Sequence, residues 1–386
     1  MPVLHPQRSA TRLVQADVTL TDELIARIIQ LHVPHAWVKH PLLKDLDGLI
    51  LSQVPEQRRA IYDTIKAGFD QLQNRVITTN DYQRYRKVIA ALITELLGRT
   101  GKAGDLAERL FNDGDELASH CSNVAYLAVT VGMQLESYVV RQRGRGISPE
   151  TRDLTSLGVG AMLHDLGKLK SPREARVQHE NSIQRHPEYA RHTLDGYEIL
   201  RHRINPLAST IALHHHQHWD GHGWPDMTNL THGRHIGGLR GPKIHIFARI
   251  VAVANAFDNL CTRPDRTVLP AIFALHSLQT DRFRGQFDPT VLDAFLRYLP
   301  PFPTGAEVIL SDNRVAAVTS INPDQPCRPK VRPLGDESDG ADIDLLHHPD
   351  LYIRESQGHD VTRWLYELKS RSETLRATEP IPVSID

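Results

Sequence analysis

Leu163-His164-Asp165-Leu166-Gly167-Lys168 is the stretch that decides how this chain of 386 residues folds and what it holds. An apolar run, Leu157 to Leu166, carries an adjacent histidine and aspartate near its end and stops at a glycine, the pattern of a buried helix closing on two polar side chains. Imidazole and carboxylate side by side can serve two metal ions at once, the ring holding one while the carboxylate bridges to the next. Downstream, Leu213-His214-His215-His216-Gln217-His218-Trp219-Asp220-Gly221-His222-Gly223-Trp224-Pro225 sets consecutive histidines ahead of a glycine-rich turn, a compact metal-binding corner. Upstream, Glu116 and His120 stand at i and i+4, so both face one side of a helix. Histidine is abundant: 22 residues, 14 of them from His120 to His245, which places the imidazole supply around these three stretches.

Composition narrows the remaining classes. Lys+Arg of 45 against Asp+Glu of 46 excludes a globally basic nucleic-acid binder, and no DNA or RNA partner is expected. The hydrophobic share of 40% is that of a globular chain with a core. The three cysteines, Cys121, Cys261 and Cys327, are too scattered for a sulfur-rich zinc site or a disulfide framework. Met1 to Gln15 lacks the apolar stretch of a signal peptide, and Cys121 to Leu135 is too short and too polar to span a bilayer. The expectation is a cytoplasmic protein without membrane contact.

Along the chain, Arg12 to Val18 reads as an opening strand, Thr21 as the N-cap of a helix with Leu24, Ile25, Ile28 and Ile29 on one face, His35 to Lys39 as a strand, and Gln57 to Leu72 as a helix. Residues 1–80 are thus expected to form a small α+β regulatory or dimerisation module. Residues 81–300 are almost entirely helical in pattern, with helices around Tyr85–Leu96, Leu117–Val131, Leu157–Leu166, Thr193–Arg201, Pro206–His214 and Ile244–Leu260. Residues 301–386 are expected to carry a small β appendage (Ala306–Leu310, Arg314–Ile321, Lys330–Leu334), a mobile acidic stretch at 335–345, and a terminal helix over Asp360–Arg376.

The ordered motifs resemble the HD-GYP branch of the HD metal-dependent phosphohydrolases. The resemblance rests on His164-Asp165-Leu166-Gly167-Lys168, on His192 ahead of Gly196, Ile199 and Leu200, on the His215-to-Pro225 loop, on Val253-Ala254-Asn255-Ala256-Phe257-Asp258-Asn259-Leu260, on Arg263-Pro264-Asp265-Arg266, and on Phe287-Asp288-Pro289. It covers about residues 110–300. It implies a mainly α protein with an HD-type helical bundle core. It implies that Glu116, His120, His164, Asp165, His192, His215 and His216 ligate two or three divalent ions, and that the site opens cyclic di-GMP to linear pGpG, and on to GMP, by attack of a metal-bridging hydroxide. Oxygen and nitrogen ligands without sulfur favour Fe or Mn. Lys168 would stabilise charge on the phosphate, Arg263 and Arg266 would clamp it, and Asp220 and Trp224 would line the substrate site.

Four positions depart from the family pattern. Gln217 replaces a glutamate, Trp224 the tyrosine of GYP, Asp265 a tyrosine, and Asn255 a metal-binding aspartate. Asn255 is retained as a ligand position, with Asp258, three residues on, as the substitute carboxylate. His186 competes with His192 for one ligand place, and the Gly196 and Leu200 spacing favours His192. His214 and His218 are expected beside the cluster rather than in it. A second reading is a catalytically weak cyclic di-GMP sensor or docking module, with diguanylate cyclases as protein partners and a homodimer as the assembly. A third, an HD phosphohydrolase for another nucleotide, is opposed by the loop ending in Pro225.

Overall fold

The computed structural model describes residues 3–5, 8–15, 18–31, 39–46, 54–72, 77–98, 115–142, 154–171, 189–226, 238–262, 268–335 and 340–368. The chain is mainly α. It opens with a hairpin of β1 (Val3–His5) and β2 (Arg8–Val14), followed by α1 (Asp22–Gln30), where the Thr21 hydroxyl accepts from Leu24 N as the sequence predicts. The expected strand His35–Lys39 lies almost wholly outside the described residues.

The helices that follow are α2 (Val54–Leu72), α3 (Thr79–Leu97), α4 (Glu116–Gln134), α5 (Glu136–Gln142), α6 (Thr155–Leu163), α7 (Arg191–Leu200), α8 (Pro206–His214), α9 (Ile246–Cys261), α10 (Ala271–Ser277) and α11 (Pro289–Tyr298). Helix α4 is the axis of the bundle. The Asp115 carboxylate caps it by accepting from Ala118 N at 2.9 Å, and its residues from Ala118 to Gly132 are buried save His120. A helix buried around its whole circumference must be enclosed on all sides. Helices α2, α6 and α9 supply the walls, and Ile61, Tyr62, Ile65 and Phe69 of α2 share one hydrophobic core with α4 and α9.

Phe287-Asp288-Pro289 has a structural role. Asp288 Oδ1 caps α11 through Thr290 N at 2.9 Å, and its Oδ2 accepts from Arg249 Nη1 at 2.6 Å and from Tyr138 Oη at 2.9 Å. Arg249 also donates to Ile244 O and Gln142 Oε1, so one buried ion pair joins α5, α9 and α11.

After α11 the chain forms a six-stranded antiparallel sheet of order β6-β5-β4-β3-β7-β8, from β3 (Glu307–Leu310), β4 (Val315–Ser320), β5 (Lys330–Pro333), β6 (Ile343–Asp344), β7 (Ile353–Ser356) and β8 (His359–Asp360). The expected appendage is larger than the sequence suggests. Part of the expected mobile acidic stretch is the edge strand β6, held where Asp342 accepts from Arg332 Nε at 2.7 Å and from Thr319 Oγ1 at 3.0 Å. The expected terminal helix over Asp360–Arg376 is instead β8 and a short 3-10 turn, Thr362–Trp364, as far as the described residues reach. Val361 and Trp364 are buried in the sheet's core, and that burial outweighs the helical spacing. Trp364 packs on Phe273 of α10, and Arg332 reaches back to Leu42 O and Asp45, so this unit touches both the helical core and the N-terminal segment.

Candidate metal centre

Helix α6 is buried throughout and releases His164 and Asp165 at its end, where a 3-10 turn, Leu166–Lys170, takes over. Gly167 is required there by close approach. A Cβ at this position would lie 1.9 Å from His192 O and 2.6 Å from Gly196 N, so only glycine lets the backbone of α7 press against the turn. That contact brings His192 to the aspartate. Helix α8 ends on His214, and His215 and His216 follow at its C-terminus. Helix α4 contributes His120 from its first turns.

These side chains converge on one carboxylate. Asp165 Oδ1 lies 3.1 Å from His192 Nε2 and 3.6 Å from His215 Nε2, and Asp165 Oδ2 lies 3.4 Å from His120 Nε2 and 3.5 Å from His164 Nε2. Two sets of ligand atoms result, each within 4.8 Å: Asp165, His192, His215 and His216 in one, His120, His164 and Asp165 in the other. Asp165 belongs to both, and each of its oxygens faces its own pair of imidazoles.

The rings are prepared for ligation. His164 Nδ1–H donates to Ala161 O at 2.8 Å, His215 Nδ1–H donates to Ala212 O at 2.9 Å, and His192 Nδ1–H donates to Tyr189 O. A carbonyl can only accept, so each bond fixes the proton on Nδ1 and leaves an Nε2 lone pair facing Asp165. His164 Nε2 and Asp165 Oδ1 are buried without a hydrogen bond among the described residues. Buried orphan atoms of a ligating type, aimed at one another, are what a site for cations requires. The residues present therefore fit a group of two divalent ions.

Charge supports the same reading. Burial opposes ionisation of Asp165, but the Lys168 ammonium and the His120 ring hold its carboxyl well below the usual range. Burial opposes protonation of His120, but hydrogen bonds and charge from Asp165 and Asp258 raise it to about 9. The metal-free centre thus draws a positive charge to this point. Burial pushes His164 and His216 well below the ordinary histidine value, lowers His215, and takes the adjacent His214 down to about 4. These imidazoles are neutral when folded but protonate near 6.5 when unfolded. The stability this contributes is complete above that value and is lost as pH falls from 6.5 toward 4. His214 alone contributes up to about 3 kcal/mol of that loss. Urea unfolding of the metal-free protein at pH 7.5 and pH 5 is expected to show the loss, and His214→Gln to reduce it. Equal pH dependence in both proteins would remove His214 from the account.

The other expected site residues fall as follows. Lys168 Nζ donates to Asp165 Oδ2 at 2.5 Å and lies 5.4 Å over the Tyr189 ring. Glu116 is exposed and stands outside both ligand sets. Asn255 is buried on α9, where its Oδ1 accepts from Asn259 Nδ2 at 3.0 Å. Trp224 stacks on the His216 ring at 3.8 Å between centroids. Asp220 is half-buried and shapes the turn, its Oδ1 accepting from His222 N at 3.0 Å. Gln217 uses both ends of its amide: Nε2 donates to Pro225 O and Oε1 accepts from Leu239 N, each at 2.7 Å. A glutamate could not make the first of these bonds, which accounts for the replacement. Asp258, the expected substitute carboxylate, stands outside both ligand sets and is bonded to the far nitrogen of His120. Arg263, Arg266 and His186 lie outside the described residues. Tyr189, which belongs to no motif read from the sequence, is buried against His192, Trp224 and Lys168.

Comparison with known proteins agrees with this geometry. Residues 115–291 match the family described as HD domain, the segment that carries every ligand named above. A cyclic di-GMP phosphodiesterase response regulator, RpfG, of Xanthomonas campestris is 35% identical over 163 residues, 39% of this chain and 38% of that protein. Residues 115–291 form an HD domain. A cyclic di-GMP phosphodiesterase of Pseudomonas aeruginosa is 28% identical to this chain over 181 residues, 45% of it and 40% of the relative. One of Thermotoga maritima is 32% identical over 152 residues, 37% of each. The chain therefore spans less than half the length of these relatives. Residues 307–358, most of the sheet that follows the HD domain, match a KOW domain associated with HD domain. No helix among the described residues is long and apolar enough to cross a membrane.

Proposed function

We propose that this protein is a metal-dependent phosphodiesterase that hydrolyses cyclic di-GMP to linear pGpG, and further to GMP. The observation that carries the proposal is the single carboxylate of Asp165, shared between two sets of imidazoles, with the Nε2 atoms of His120, His164, His192 and His215 all within 3.6 Å of it. The names of the relatives supply the substrate class. His120, His164, Asp165, His192, His215 and His216 would hold the ions, Fe or Mn by their chemistry, with Glu116 and Asn255 extending the set. When bound, the ions supply Lewis acidity to a water and to the scissile phosphate.

The chain's own residues do the rest. Asp165 keeps the two ligand sets in register. Lys168 has three N–H donors and spends one on Asp165, leaving others for the non-bridging phosphate oxygens as charge develops there. Trp224 holds the His216 ring flat by stacking, and with Asp220 shapes the loop at the substrate side. Arg263 and Arg266 would bind phosphate. Hydrolysis places the water oxygen on phosphorus and releases the 3′ oxygen, which takes up a proton; nothing is oxidised or reduced.

The test is protein reconstituted anaerobically with Mn²⁺ or Fe²⁺, analysed for bound metal and, by chromatography, for pGpG. At least two ions per chain and pGpG formation are expected. Stoichiometric metal and tight cyclic di-GMP binding without product would favour the alternative, a catalytically weak sensor. Asn255 is the residue that favours it, because a neutral amide already engaged by Asn259 is a poorer ligand than a carboxylate. A unit charge 4 Å from a dication contributes several kcal/mol even at an effective dielectric of about 20. Asn255→Asp is therefore expected to move the metal titration of activity at least tenfold lower in concentration. Superimposable titrations would place Asn255 away from the ions.

A further inference from the structure

Behind His120 a line of buried polar groups runs out of the metal centre and into helix α2. His120 Nδ1–H donates to Asp258 Oδ2 at 2.6 Å, Asn123 Nδ2 donates to Asp258 Oδ1 at 2.9 Å, and Arg58 Nη2 donates to Asn123 Oδ1 at 3.0 Å. Arg58, Asn123 and Asp258 are each no more than 3% exposed. The orientation of the Asn123 amide is fixed at both ends. A carboxylate accepts and a guanidinium donates, so the amide must turn its NH₂ to Asp258 and its oxygen to Arg58. Each group in the line thereby removes one freedom of the next. Asn123 holds the second oxygen of Asp258, so the carboxylate cannot rotate away from His120. Arg58 holds Asn123, so its amide cannot flip. Arg58 is itself seated over the Tyr126 ring at 4.7 Å, and its backbone carbonyl accepts from Ser122 Oγ at 3.4 Å.

We propose that Arg58 is a positioning residue for the metal centre, acting through Asn123 and Asp258 to fix the ring of His120, and that α2 is by this route coupled to the ligand set of His120 and His164. The proposal rests on reading the cluster as a metal centre. A carboxylate on the far nitrogen of a ligating histidine orients the ring and raises its basicity, and its loss typically costs 10–100-fold in metal affinity. The same line explains why Asp258 is a carboxylate although it faces away from Asp165: its charge is shared between an imidazole N–H on one oxygen and an amide N–H on the other.

The experiment uses the full chain and its Arg58→Met, Arg58→Lys and Asp258→Asn variants, with Arg58→Met/Asp258→Asn as the double variant. Mn²⁺ binding is followed by electron paramagnetic resonance, and the His120 ring nitrogens of the metal-free protein by ¹⁵N shifts, assigned by difference with His120→Gln. Asp258→Asn is expected to weaken one Mn²⁺ position about 10–100-fold and leave the other. Arg58→Met should weaken the same position several-fold, shift the His120 nitrogen signals, and add nothing in the Asp258→Asn background. Arg58→Lys keeps a buried cation but loses the planar fork, and should reproduce the loss with thermal unfolding unchanged. Two results overturn the proposal. One is unchanged Mn²⁺ binding and His120 signals in both Arg58 variants. The other is an equal loss at both Mn²⁺ positions, the mark of general loosening. If the wild-type chain binds no Mn²⁺, the metal reading fails by itself. The relay is then decided by the His120 signals, altered in its favour or unaltered against it.

Discussion

Asp165→Asn is expected to leave a protein with no stoichiometric metal and no detectable hydrolysis of cyclic di-GMP. The substitution keeps the side chain's volume and removes the charge on which both ligand sets converge. It also strands Lys168, whose ammonium is buried and held in its charged form by Asp165 against the pull of burial. Removing one partner of a buried pair typically destabilises by about 3–5 kcal/mol, because the other charge stays desolvated. The metal-free variant should therefore unfold at lower urea, and Asp165→Asn/Lys168→Met should recover much of that stability without recovering metal. Stoichiometric Mn²⁺ in Asp165→Asn, by elemental analysis, would contradict the bridging role of this carboxylate.

Arg249→Met carries the largest expected effect on stability alone. Arg249 and Asp288 are 3% and 1% exposed at their side chains and 2.6 Å apart, and the guanidinium also satisfies Ile244 O and Gln142 Oε1. The variant leaves a buried carboxylate with a tyrosine hydroxyl and its capping bond, so a loss of about 3–5 kcal/mol is expected. For a chain of this size that is a fall of about 4–6 °C in Tm. The ligand set is not touched, so the folded variant should hold as much metal as wild type. A Tm within 2 °C of wild type, by calorimetry, would show that the pair contributes little.

The legible parts of this molecule are those written as short-range pattern. Helices such as α1, α8 and α9 follow from apolar spacing, and α1 also from its cap at Thr21. His164, Asp165, His192, His215 and His216 stand in contiguous or fixed-spaced motifs, and the structure brings them together with His120. What was not legible is what depends on distant partners. Tyr189 belongs to no motif and gains its place only when α7 folds against Trp224 and Lys168. Asn123 and Arg58 meet across 65 residues, and Asn123 and Asp258 across 135, so nothing local distinguishes them from ordinary polar positions on helices. Strands β6 and β8 are two residues long, too short for alternation to register. The expected helix after Asp360 failed because tertiary burial of Val361 and Trp364 overrode local propensity.

The contact of Arg332 with Asp45 closes a span of 287 residues, at 2.7 Å and largely exposed on the aspartate side. Joining two points that far apart in a free chain costs about 5 kcal/mol of entropy, whereas an exposed ion pair returns about 1 kcal/mol at most. The pair therefore cannot draw the two ends of the chain together. It can form only after the packing of α2 on α4 and of the sheet on α10 has already brought them near. In folding order it comes last: during synthesis Asp45 leaves the ribosome long before its partner exists, and the latch closes only on a chain whose interior is complete.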